Sequence, residues 1–110
     1  MKVTEKENYK IFKDEKNDVR EFAKYLSITH GNYKDENVVI DILEYGNLSL
    51  EELLDFLDLS NEHRANKRSF VIANDTINID VVPQELLVVP TLQEAEDVIQ
   101  MEEIERDLGF

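Results

Sequence analysis

Few side chains in this sequence could do chemistry, and they are spread along the chain. Asp41 interrupts the apolar run Val38-Val39-Ile40-Asp41-Ile42. A carboxylate is costly there unless the chain emerges from the core and the acid accepts from loop amides. Anchoring of a loop is therefore the first reading of Asp41. The second takes Asp41 with Glu44, Asn74 and Asp75 as oxygen donors at the carboxyl ends of strands, where open α/β sheets bind small ligands or cations. Ser49 and Glu52 have the spacing of a capping box, so the hydroxyl is read first as a helix cap. His30 and His63 lie far apart, without the i, i+4 spacing of a metal-binding helix, and read as solvated residues near helix ends; no metal is expected. With glycine only at 31, 46 and 109, no glycine-rich loop can cradle a phosphate, and with no cysteine there is no thiolate nucleophile or ligand. Neither a nucleophile elbow nor a Ser/His/Asp arrangement can be drawn. The expectation is a protein without catalytic activity and without a cofactor.

The elements that must position these residues form one domain. At 110 residues and 42% hydrophobic content the chain can bury one modest core. Twenty-five acidic against 12 basic residues give a formal charge of −13, which repels phosphate backbones and anionic lipid. Neither nucleic acid nor membrane is expected as a partner. The start of the sequence is polar and no apolar run reaches bilayer length, so the expected location is cytoplasmic.

The Val38–Ile42 run, β-branched and without polar alternation, predicts a strand covered on both faces in the middle of a sheet. Before it, alternation from Lys2 to Glu7 and the run Tyr9–Lys13 predict a charged, edge-like hairpin. Asp18 with Glu21 opens a first helix, carried by Val19, Phe22, Ala23 and Leu26 and ending near Gly31. A second helix starts at Leu50; Leu50, Leu53, Leu54 and Leu57 are expected to cover the sheet, and His63, Arg64, Lys67 and Arg68 mark its far end. Ser69–Ala73 and Leu86–Val89 predict further buried strands, with Asn74-Asp75 a turn and residues 76–83 left open between strand and loop. Thr91 with Glu94 caps a last, acidic helix from Leu92 to about Leu108. Leu92, Ala95, Val98 and Ile99 form its core stripe, while Met101, Ile104 and Leu108 drift to another row, so its end can leave the domain. The expected fold class is α/β, a mixed sheet of four to five strands with about three main helices.

In this order and at this length, the strand through Asp41, the loop, the capped helix at Ser49, the short strand Leu86–Val89 and the Thr91-capped helix resemble a STAS domain of the anti-sigma-factor antagonist type. The likeness spans nearly the whole chain. It implies a mixed sheet with helices packed on it and a non-enzymatic module that regulates a partner protein. In that family a serine at the start of the second helix is phosphorylated; aligned on it, Leu50 stands at the acceptor position, Ser49 replaces an Asp and Glu52 a Gly. The resemblance thus implies binding without the phosphorylation switch. The expected docking patch is Phe56 and Leu59, off the leucine face and rimmed by Glu52 and Asp55, suiting a partner with a basic surface and an association rate that falls with salt. A ligand-binding domain and a homodimeric structural adaptor are the alternatives.

Overall fold

The computed structural model describes residues 1–109. Five strands, β1 (Lys2–Glu5), β2 (Tyr9–Lys13), β3 (Asn37–Asp41), β4 (Phe70–Ala73) and β5 (Val88–Val89), form one sheet in sequential order. β1 and β2 are the antiparallel hairpin, with Val3 opposite Phe12. β2 through β5 run parallel, and β3 is the central strand. The mixed α/β sheet expected from the sequence is the observed one.

Crossovers of one hand that step along a sheet in one direction place their helices on one face. Here α1 (Val19–Ile28), α2 (Leu50–Leu54) and α3 (Leu57–Ala65) share the face formed by Phe12, Val38, Ile40, Phe70, Ile72 and Val88. The alternate residues Ile11, Val39, Val71, Ala73 and Val89 form the other face, which is covered by α4 (Leu92–Asp107) through Ala95 and Ile99. The strands lack polar alternation because both faces are packed. Residues 76–83, open in the sequence, hold a single 3-10 turn at Ile79–Val81, with Ile77 and Val82 lying on the larger core.

The second predicted helix is broken and turned. The amides of Asp55 and Phe56 bond three residues back, to Glu52 and Leu53 at 3.2 and 3.0 Å, so a tight turn separates α2 from α3. The inward row is Leu53, Phe56, Ser60 and His63, with Leu59 beside it. Of the expected leucine face Leu53 is fully buried, Leu50 and Leu57 are half-buried against the edge of the core, and Leu54 is 38% exposed. The true row includes a serine and a histidine, so a count of apolar residues passes over it in favour of the leucine-rich neighbour.

Helix starts follow the sequence closely. The Asp18 carboxylate accepts from the Glu21 amide, Thr91 Oγ1 from that of Glu94, and Ser49 with Glu52 makes the complete reciprocal box. The Ser49 hydroxyl accepts from the Glu52 amide at 3.1 Å, and Glu52 Oε1 accepts from the Ser49 amide at 3.0 Å. Tyr45 donates its hydroxyl to the same carboxylate. That bond, then those from Ser49, hold the Glu52 pKa below its usual range. Replacing Ser49 by Ala is expected to cost about 1 kcal/mol, read as a lower urea midpoint with unchanged slope. No loss would mean that the cap is idle.

Candidate functional site

The residues expected to bind ligand are not gathered in one place. Asp41 is buried at the end of β3, where Oδ1 accepts from the Leu43 amide at 3.1 Å, which is the loop anchoring expected of it. Glu44 lies beside it over a shallow cleft of about 170 Å³, but its carboxylate is held 2.9 Å from Lys13 Nζ, a cation the chain supplies itself. Asn74 is also buried. It donates to the Ile42 carbonyl at 2.9 Å and accepts from the amides of Thr76 and Ile77, tying the loops after β3 and β4 together. Asp75 is exposed and lines no cleft with the others. Among the described residues, no three His, Cys, Asp or Glu side chains are placed to hold a metal ion.

The docking patch expected on helix two is not at the surface. Phe56 is 0% and Leu59 3% exposed, both in the larger core, and Phe56 meets Phe22 of α1 edge to face with centroids 6.5 Å apart. The two acids of the expected rim are engaged as well: Glu52 in the cap, and Asp55 with Arg20 at 3.5 Å. The leucine face turns inward through Leu53, with Leu50 and Leu57 at the margin of the core, and the buried side of the segment extends on to Phe56 and Leu59.

The histidines also depart from the expectation of solvated helix ends. Both are buried, and His30 Nε2 lies 2.9 Å from His63 Nδ1. His63 Nε2 is 2.7 Å from the Glu36 carbonyl, which can only accept, so this nitrogen carries the proton and Nδ1 is bare. His30 Nε2–H must then donate to His63. The other nitrogen of His30, Nδ1, faces Glu62 at 3.7 Å. Tyr33 packs edge-on against His30 and tilted against His63, Phe70 packs tilted against His63, and burial pushes the His63 pKa down to about 4. The arrangement joins α3 to the turn after α1 and to the loop before β3. It is a structural clamp in which both ring nitrogens of His63 are engaged.

A polar network that the sequence reading missed holds the second half of α4. Asn37, opening β3, accepts from the Ser69 amide at 2.8 Å and from Arg106 Nη2 at 3.2 Å, and donates to Glu103 at 2.6 Å. Arg106 also bonds Glu103 at 2.6 Å, while Glu102 accepts from Arg64 and from Ser69 Oγ, each at 2.6 Å. The Asn37 amide, then Arg106, keeps the Glu103 pKa low. The helix therefore does not leave the domain. Polar residues immediately before apolar strand runs, Asn37 and Ser69, were the available signal.

This network inverts the second half of α4. Glu102, Glu103 and Arg106 face inward, and Met101, Ile104 and Leu108 face outward at 63, 60 and 66% exposure. At about 100° per residue these three share one row, about 10 Å long, with Asp97 and Glu105 on the same side. This face is a candidate docking surface. None of the helices is long and apolar enough to cross a membrane among the described residues. Compared with known proteins, the chain matches no family model and no curated protein sequence.

Proposed function

We propose that this chain is a non-enzymatic, STAS-like protein-interaction module that regulates a partner protein, and that it meets the partner through the outer face of α4. The observation that carries this reading is the row Met101, Ile104 and Leu108, exposed on a helix whose inward positions are taken by Glu102, Glu103 and Arg106. In a helix that serves only as a lid the apolar row points inward along its whole length; here the inward apolar row ends at Ile99, polar bonds hold the second half, and the apolar row there is left for another surface. The element order, with its hairpin, parallel strands and capped acidic final helix, supports the STAS-like part of the proposal. The net charge of −13 favours a partner with a basic surface.

The test is affinity capture from the native cell with the wild-type chain and with Ile104→Glu. A partner held by the wild type should be lost with the variant while the melting temperature is unchanged, since the side chain is 60% exposed. Capture of the same partner by both would remove α4 as the docking face.

A further inference from the structure

The outer face of α4 also says what kind of partner segment it takes. We infer that its occupant is a basic amphipathic helix, one row of apolar residues flanked by Lys or Arg, lying along Met101, Ile104 and Leu108; this rests on the reading of α4 as the docking face. Three features of the face select that occupant.

The first is backbone chemistry. Between its end turns the amides and carbonyls of α4 are bonded within the helix, so this face offers no free edge to which an extended strand could add. An exposed helical row is matched by the groove between rows of another helix. The second is length, since a row of about 10 Å corresponds to two turns of a partner helix. The third is charge. The row is bordered by Asp97 and Glu105, with Asp107 nearby, on a chain of net charge −13; Arg64 and Arg106, which share a cleft with Glu105, are already paired with Glu102 and Glu103, and Lys67 and Arg68 line the same cleft. A second copy would bring the same acidic border and the same net charge against itself, which disfavours an isologous pair. Basic side chains flanking the partner's apolar row would neutralise this border and speed the encounter. The apolar area is small, so the association is of the transient class.

The probe is a synthetic helical peptide with Leu at helical spacing on one face and Lys on the other. A peptide of the same composition in scrambled order is the control. Binding to the full chain is followed by fluorescence anisotropy at about 0.05 and 0.3 M salt, on either side of the roughly 0.1 M at which the screening length is about 10 Å. The ordered peptide is expected to bind about tenfold more tightly than the scrambled one, and more weakly at high salt. The deciding variant is Met101→Glu/Ile104→Glu. It adds two negative charges, so binding by charge alone would strengthen, whereas docking on the apolar row should weaken about tenfold or more. Both positions are exposed, and an unchanged melting temperature shows that the fold is intact.

Unchanged or tighter binding by the double variant, or equal affinity for both peptides, overturns the inference. A wild-type dimer in sedimentation that Ile104→Glu dissociates overturns it too, because the occupant is then a second copy. The two levels fail separately. If cellular capture depends on Ile104 but the peptide ignores the row, the docking face stands and the basic helix does not. If capture ignores Ile104, the docking face itself fails.

Discussion

Phe56→Ala is expected to lower the stability of this protein by about 3–5 kcal/mol, a large part of the 5–15 kcal/mol typical of a small domain. Phe56 is wholly buried where α2 turns into α3, against Phe22 of α1 and within the cluster that contains Leu53, Leu59 and Phe70. Truncation removes the transfer free energy of the ring and leaves a cavity lined by three helices and the sheet, which cannot collapse without moving the sheet. Leu54→Ala is the matched control. Leu54 is 38% exposed despite lying in the leucine-rich row, so its loss should cost well under half as much. Urea unfolding reads both as shifts of the midpoint at constant slope. Similar costs for the two, or a small cost for Phe56, would return the leucine row to the core and Phe56 to the surface.

The second large effect is on the pH dependence of stability, and it comes from His63. The folded state holds this imidazole neutral down to about pH 4, whereas in the unfolded chain it titrates near 6.5. Above about pH 6.5 neither state carries the proton and His63 contributes no slope. Between about 6.5 and 4 the unfolded chain binds a proton that the folded protein does not, so stability falls as the pH falls; below 4 both states are protonated and the contribution is constant. The full loss is about 3 kcal/mol for a depression of this size. Glu52 and Glu103, whose folded pKa values lie below the usual carboxylate range, lose stability in a separate window that opens as the pH falls through about 4.5. Urea unfolding from pH 7.5 to 4 should therefore show a decline in the wild type that is reduced in His63→Gln, the difference isolating this residue from the carboxylates. An NMR titration gives a direct reading. The His63 ring resonance should stay still until the pH approaches 4, and a midpoint near 6.5 would contradict the buried clamp.

The same two residues mark the division between what was legible in the chain and what was not. The sequence by itself determined the elements whose signals are local. A β-branched run with no polar alternation made Val38–Ile42 a central strand, and Ser, Thr or Asp followed three residues later by Glu placed the starts of α1, α2 and α4. Asp41 was legible as a loop anchor because a carboxylate in such a run must find amides nearby. The inward faces of α1 and of the first half of α4 were those the periodicity shows, and the tertiary structure alone decided the inward row of the second helical segment and of the second half of α4. Leu53, Phe56, Ser60 and His63 form the inner row of the second helical segment because His63 meets His30, 33 residues earlier, and the Glu36 carbonyl. Glu103 and Arg106 turn inward on α4 because Asn37, 66 and 69 residues away, supplies their partner. The physical reason is that a polar side chain is as well suited to the interior as an apolar one once its donors and acceptors are satisfied. The groups that satisfy it come from distant segments, while periodicity within one helix records only the residues of that helix.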